Sequence, residues 1–382
     1  MALNNCDKIL AGALYVHVPF CRGKCPYCGF YSEAAGKHDV GELLEAEIAE
    51  LCSAPLKCPP ETIYIGGGSP SCIGAEVLCD FLGKIVAITG LAEEFTVEIN
   101  PGQVEEVFLK KLYSVGVNRL SVGAQSFCQE DLDFLGRNYS VETVRRTVEN
   151  AKKAGFANIN LDLIFAVPGS DINQWRRSLE GAIRIGTQHV SAYSLTYERG
   201  TMLDNLRLKG EVEPVCEELD RQMYYLAVDM LGDVGIEQYE ISNFARKGFQ
   251  CRGNLTYWGN EPYVGIGPAA ASYFGRERKT NFADIKKYVT AIQAGENTAQ
   301  EKYVSDSKEM ACEMAVLNLR QTSGIDLERF NAKTGFDAEQ FFAEPIQKYT
   351  KQGLLELKAG HLSLTKQALA IADTVLCEFA SP

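Results

Sequence analysis

The sequence is short of histidine, of positive charge and of long apolar runs, and each shortage removes a class of function. Only four histidines occur in 382 residues, so imidazole-rich metal sites are disfavoured. Acidic side chains outnumber basic ones 50 to 38, a formal net charge of −12. No global field therefore draws the chain to nucleic acid or to an anionic membrane surface. No uninterrupted apolar stretch approaches the ~20 residues of a membrane-crossing helix. Near the N-terminus no basic segment precedes an apolar one, which argues against a secretory leader. A soluble, cytoplasmic protein is expected. Cysteine is plentiful, but thirteen is an odd number, and in a long unsecreted chain it argues for a reducing compartment rather than a disulfide framework. With 46% hydrophobic residues, the chain is long enough for one large domain and a smaller one.

The stretch Leu14–Ser32 organises the rest. Cys21, Cys25 and Cys28 form a C-x3-C-x2-C triplet on a loop that leaves an apolar, β-branched run readable as a strand. Arg22, Gly23, Lys24, Pro26 and Gly29 make that loop polar and turn-like, unsuited to a core segment. A structural zinc site needs four ligands, and the nearest histidine, His17, lies on the preceding strand. Three thiolates on one short loop suit three irons of a [4Fe–4S] cluster and leave the fourth iron open. The natural occupant of that position is the amino and carboxylate end of S-adenosylmethionine, placed where one electron can cleave it.

Strand and helix signals then alternate. Strands are expected at Ala13–Val18, Thr62–Ile65, Phe95–Ile99, Asn118–Val122, Asn158–Leu163 and His189–Tyr193, with amphipathic helices at Val40–Cys52, Val104–Val115, Val141–Ala154 and Gln174–Ile185. Six βα units predict an α/β fold, first an open, partial (β/α)6 barrel and second a doubly wound sheet. In either, chemistry gathers at the C-terminal ends of the strands. There stand Gly66-Gly67-Gly68-Ser69-Pro70, whose backbone is expected to approach a ligand, and Glu98 with Asn100, where a carboxylate suits ribose hydroxyls. Gln125, Ser126, Arg137 and Asp162 recur at the same end of later strands.

These motifs, with Arg119–Phe127, Leu135-Gly-Arg137, Leu161–Ile164 before Pro168-Gly169, and Tyr239–Phe244, resemble in kind and order the radical S-adenosylmethionine proteins of the HemN/HemW group. The likeness is nearer to the HemW haem chaperones than to the oxygen-independent coproporphyrinogen III oxidases, because Phe30 stands where the oxidase has an additional cysteine. The resemblance implies that Cys21, Cys25 and Cys28 hold the [4Fe–4S] cluster and that Tyr15, Tyr27, Gly67, Gly68, Ser69, Glu98, Gln125, Arg137 and Asp162 line the S-adenosylmethionine pocket. It further implies haem or another tetrapyrrole as cargo, haem-accepting membrane enzymes as clients, a homodimer, and membrane association only through a client. Coproporphyrinogen dehydrogenase activity is not expected, and cleavage of S-adenosylmethionine is left open. Histidines usual in the group are replaced here by Asn138, Gly253 and Ala271, which leaves Cys251 and Tyr257 as substitute ligands for haem iron.

Three domains are expected: residues 1–200 as the radical core, 201–300 as an extension packed on it, and 301–382 as a small winged-helix-like α/β domain. The last has helical patterns at Lys308–Leu319, Leu327–Thr334, Ala338–Lys351 and Lys366–Phe379 around a short hairpin. From residue 301 onward nine Lys and Arg face twelve Asp and Glu, so this winged helix is read as a docking module, not a DNA binder. Beside the chaperone stand two alternatives: a radical enzyme such as a class C methyltransferase, and a degenerate cluster-binding interaction protein.

Overall fold

The computed structural model describes residues 10–381; the first nine residues of the expected core domain lie outside them. Among the described residues the main sheet has twelve strands. In chain order they are β1 Ala13–Val18, β2 Thr62–Gly67, β3 Glu94–Ile99, β4 Arg119–Gln125, β5 Asn158–Phe165, β6 His189–Ser194, β7 Glu237–Gln238, β8 Asn243–Ala245, β9 Tyr263–Ile266, β10 Ala271–Phe274, β11 Glu277–Asn281 and β12 Ala299–Val304. The spatial order is β12-β11-β10-β9-β1-β2-β3-β4-β5-β6-β8-β7. From β9 through β6 every neighbouring pair is parallel.

The run from β1 to β6 follows chain order without reversal, which decides between the two expected architectures. A doubly wound sheet reverses its order at a switch point. Right-handed crossovers in monotonic order place every helix on one face and curl the sheet around the other. The crossover helices are Val40–Ser53, Ala75–Thr89, Glu106–Val115, Val141–Lys153 and Ile172–Ile185. The second has no counterpart among the expected helices; it begins after Gly74 and carries Leu78, Phe81, Leu82 and Ile85 inward.

Alternation along the strands separates two chemistries. Leu14, Val16, Ile63, Ile65, Phe95, Val97, Leu120, Val122, Ile159, Leu161 and Val190 face the helices and form the apolar core. The intervening residues, including Tyr15, Tyr64, Glu98, Ser121, Asn160, Asp162 and His189, face the concave side. Parallel strands are usually apolar on both faces, so a concave face this polar marks a lumen built for something other than packing.

The stretch expected as an extension adds to both edges of the core sheet. β8 pairs antiparallel with β6, while β9 pairs parallel with β1 and leads into the β10–β12 meander. β12 crosses the expected boundary at residue 300. The tail forms its own small sheet of β13 Ile325–Asp326, β14 Leu355–Lys358 and β15 His361–Leu364, in the order β13-β15-β14. Two expected tail helices are corrected. Ala338–Lys351 breaks at Phe342, and the second piece restarts so that Pro345 falls in its first turn, where no amide partner is needed. Lys366–Phe379 is a 3-10 turn, a short α-helix Ala372–Leu376 and a second 3-10 turn. The tail docks on the Tyr239–Phe244 motif: Ile241 N–H donates to Arg320 O at 3.1 Å and Thr322 N–H to Tyr239 O at 3.1 Å. Among the described residues, no helix is long and apolar enough to cross a membrane.

Candidate functional site

The cysteine loop leaves β1 at the C-terminal edge of the sheet, as expected. Its base is closed by a two-residue parallel pairing of Phe20 with Glu33 and Cys21 with Ala34. Glu33 N–H donates to Pro19 O at 2.7 Å, and Cys28 N–H donates to Cys25 O at 3.2 Å, folding the tip into a turn. Two further ties fix its position: Leu203 N–H to Pro26 O at 2.9 Å and His17 Nε2 to Tyr31 O at 3.0 Å. All three thiols are free and half-buried. Burial pushes the Cys21 and Cys25 thiols up, while the charges of Arg137 and Lys24 pull Cys25 back. Among the described residues no three His, Cys, Asp or Glu side chains converge as on a single metal ion. An iron–sulfur cube asks something different, one thiolate for each of several irons, which a wide three-cysteine loop can supply.

The three glycines at the end of β2 fit against the protein itself. A Cβ on Gly68 would stand 2.5 Å from Phe20 O and 2.8 Å from Phe20 N, and one on Gly67 would stand 2.6 Å from the His17 ring. The amides from Gly67 to Ser69 are also committed: Gly67 N–H donates to Glu98 Oε2 at 3.3 Å, Gly68 N–H to Val18 O at 3.0 Å and Ser69 N–H to Phe20 O at 2.7 Å. The expected ligand-facing amides are thus spent internally. The glycines are needed because the motif lies directly on the backbone that carries Cys21.

The polar side chains expected at the strand ends do come together around the lumen mouth. Glu98 accepts from Tyr64 OH at 2.9 Å as well as from Gly67. Burial, and then repulsion by Asp162, raise its pKa to about 7. Asp162 accepts from Ser121 at 2.9 Å and from Asn160 at 2.9 Å, and burial raises it too. Tyr15 OH lies 3.0 Å from His17 Nδ1. Gln125 sits on a bulge, where the register with β5 slips between Val122 and Gln125, and adopts φ of 63°. The bulge turns its amide back over Gly123, whose Cβ would meet Gln125 Nε2 at 2.9 Å and Asn100 Oδ1 at 2.8 Å.

Arg137 closes the ring. It donates to Asn100 Oδ1 at 3.0 Å and to Tyr27 OH, and its Nε is buried without a partner among the described residues. Burial opposes its charge, but the oxygens of Tyr27 and Tyr139 outweigh that and hold it above the usual arginine range. Ser69 Oγ receives Asn100 Nδ2 at 2.8 Å, so Ser69, Asn100, Arg137 and Tyr27 form one network reaching the cysteine loop.

Several members of the site do not stand out singly in the sequence. Tyr64, Ser121, Asn160 and His189 orient the carboxylates: His189 Nδ1 lies 2.6 Å from Asn160 Oδ1 and its Nε2 lies 2.9 Å from Tyr239 OH. Burial holds His189 well below the usual histidine range, hence neutral. The signal for them was the two-residue spacing of polar positions in Asn160–Asp162 and His189–Ser191. The substitute haem ligands fare worse. Cys251 is 0% exposed, donates to Glu94 at 3.5 Å, and is pushed up by burial to about 12. Tyr257 is packed edge-on against Tyr263, with ring centroids 4.6 Å apart. Cys251 is therefore enclosed, whereas Tyr257 is half-buried. Gly253 is buried with its N–H on Glu94, whereas Asn138 and Ala271 are exposed on other elements.

Comparisons with known proteins agree with this geometry. Residues 15–181 match the radical SAM superfamily, SAM being S-adenosylmethionine, and residues 306–371 match the HemN C-terminal domain. The chain is 33% identical to "Heme chaperone HemW" of Bacillus subtilis, over 96% of this chain and 98% of that one. It is 34% identical to the protein of the same name from Lactococcus lactis, over 96% of each. The fold superposes on coproporphyrinogen III oxidase (HemN) from Escherichia coli with a TM-score of 0.84 and 18% identity, covering 98% of this chain and 91% of that one, which is evidence for the fold alone. Full-length similarity, motif order and the cysteine loop at the mouth of a polar lumen together establish that the chain belongs to the HemW family of radical SAM proteins.

Proposed function

We propose that the protein is a haem chaperone that holds a [4Fe–4S] cluster on Cys21, Cys25 and Cys28 and binds SAM beside it. The observation that carries this reading is the similarity to two HemW chaperones along nearly the whole chain. Family membership implies the cluster and SAM. The donor set suits them: three free thiols share one loop, and a half-buried arginine with a buried, spare Nε lies next to that loop through Tyr27.

When bound, the cluster supplies an open iron and one electron. The chain's own residues do the rest. Arg137 offers a planar fork to the SAM carboxylate. Glu98 and Asp162, fixed by Tyr64, Ser121 and Asn160, accept from ribose hydroxyls. Tyr15, Tyr27, Gly67, Gly68, Ser69 and Gln125 complete the pocket wall. His17 underlies Gly67 and ties the loop exit at Tyr31, a supporting role. Haem is held by a group other than Cys251, whose thiol is enclosed.

The test is an anaerobic haem titration of cluster-reconstituted protein, followed at the Soret band. Saturable, stoichiometric binding that survives Cys251→Ala and Tyr257→Phe is expected, with transfer to a haem-dependent membrane enzyme as the second stage. Absence of saturable binding would reject the chaperone reading. Product formation from SAM dependent on all three cysteines would then favour a radical enzyme.

A further inference from the structure

The motif Tyr239–Phe244 stands between the tail and the lumen. One tail residue holds its first member: Thr322 N–H and Thr322 Oγ1 both donate to Tyr239 O, at 3.1 and 3.2 Å. On the other side, the Tyr239 hydroxyl lies 2.9 Å from His189 Nε2, and His189 Nδ1 lies 2.6 Å from Asn160 Oδ1. Asn160 Nδ2 then donates to Asp162 Oδ1 at 2.9 Å. An unbroken hydrogen-bonded path thus runs from the tail to a lumen carboxylate. A second branch reaches the same asparagine, since Ser191 Oγ donates to Asn243 Oδ1 of the motif at 2.6 Å and lies 3.2 Å from Asn160 Oδ1.

The direction of each bond from Tyr239 to Asp162 is fixed by its ends. Cys251 N–H donates to the Tyr239 hydroxyl at 3.3 Å, and a main-chain amide can only donate. Among the described residues the hydroxyl has one other partner, His189 Nε2, so its single proton goes there. At the far end, Asn160 turns its NH2 group toward Asp162 and toward Ser121 Oγ at 2.8 Å, which leaves its carbonyl oxygen facing His189. That oxygen can only accept. Both ends therefore place the proton of the imidazole on Nδ1 and leave Nε2 bare. His189 is 0% exposed, so no solvent competes for either nitrogen, and burial keeps the ring neutral. Bonds that all point one way in a buried chain polarise and reinforce one another.

We propose that Tyr239 and His189 are positioning residues for SAM: with His189 held as the Nδ1–H tautomer, the docked tail fixes Asn160 and through it Asp162, an assignment that rests on Asp162 as the ribose acceptor. The tail is then part of what shapes the SAM pocket, although it touches none of the pocket wall.

The experiment uses the full chain, carrying its cluster in the oxidised state and 15N-labelled at histidine, of which there are four. At neutral pH one resonance should show a proton on Nδ1 and none on Nε2; it should vanish in His189→Gln or, where that variant does not fold, shift in Tyr239→Phe. Tyr239→Phe removes the donor to Nε2 and should bind SAM about fivefold to tenfold more weakly with iron content unchanged. Coupling between sites is reciprocal, so saturating SAM should slow amide hydrogen exchange in tail residues 319–324 of the parent and not of Tyr239→Phe. A proton on His189 Nε2 would overturn the proposal. So would parent affinity in Tyr239→Phe, or tail exchange indifferent to bound SAM. A parent that binds no SAM would instead reject the SAM reading itself, and the His189 tautomer, measured without ligand, would still decide the direction of the relay.

Discussion

Replacing Glu98 by glutamine should stabilise the fold while weakening its ligand site. The carboxyl is enclosed in the lumen near Asp162, and its pKa rises from 4.5 to about 7. At about 1.36 kcal/mol per pK unit, that difference of about 2.5 units corresponds to about 3.4 kcal/mol. Partial solvent access at the mouth reduces it to about 2 kcal/mol. The sign follows from linkage. Below pH 4.5 the group is protonated in folded and unfolded chains alike and carries no penalty; above about 7 it is ionised in both and the folded state bears the full cost. Stability of the unliganded parent should therefore fall as pH rises across that interval, and Glu98→Gln should lack this segment of the profile. At pH 8 the variant should exceed the parent by about 2 kcal/mol, or a few degrees in melting temperature. SAM affinity should change the other way. Hydroxyl donors favour the carboxylate, so parent binding should strengthen through pH 7 while the variant binds weakly at every pH. Thermal unfolding and equilibrium binding, each from pH 5 to 8, measure both trends. A variant no more stable than the parent at pH 8, with the same slope below it, would refute the account of Glu98 as an enclosed, repelled carboxylate.

Other perturbations separate the loop from the pocket. Gly68→Ala places a Cβ against the Phe20 backbone at 2.5 Å; it should cost about 1–3 kcal/mol and lower iron and sulfide content after reconstitution, and full cluster loading at the parent melting temperature would contradict the packing role. Arg137→Ala should weaken SAM binding by about 2 kcal/mol or more, a factor of about 30, with iron content unchanged; equal affinity in a calorimetric titration would remove Arg137 from the pocket. Trp175 is 2% exposed, stacks near Phe165 and donates to Met223 O at 2.8 Å. Trp175→Ala should cost about 3–5 kcal/mol in denaturant unfolding without altering the cluster spectrum per folded chain.

Much of this was legible beforehand because it is local or periodic. A C-x3-C-x2-C loop is complete within eight residues, and the apolar positions of β1 to β6 recur at the spacing of strands. That is why all six parallel strands lie within a few residues of their expected places, and why Glu98, Arg137 and Asp162 could be expected at one end of the sheet. Helix breaks were less legible. Phe342 and the 3-10 turns after Lys366 depend on how the tail packs, and propensity alone favours continuous helices there.

The three-cysteine loop, the βα rhythm and the end of the sheet at which polar groups gather can be read from the sequence alone, since each rests on nearest-neighbour chemistry. Tertiary structure decided three things that spacing cannot encode. Strand order chose the curled, singly wound sheet over the doubly wound one. Close approach turned the amides of Gly67, Gly68 and Ser69 inward onto Glu98, Val18 and Phe20 rather than toward a ligand. Burial sealed Cys251 against Glu94 and left Glu47 without a partner among the described residues, because exposure is a property of the assembled layers and not of any one segment.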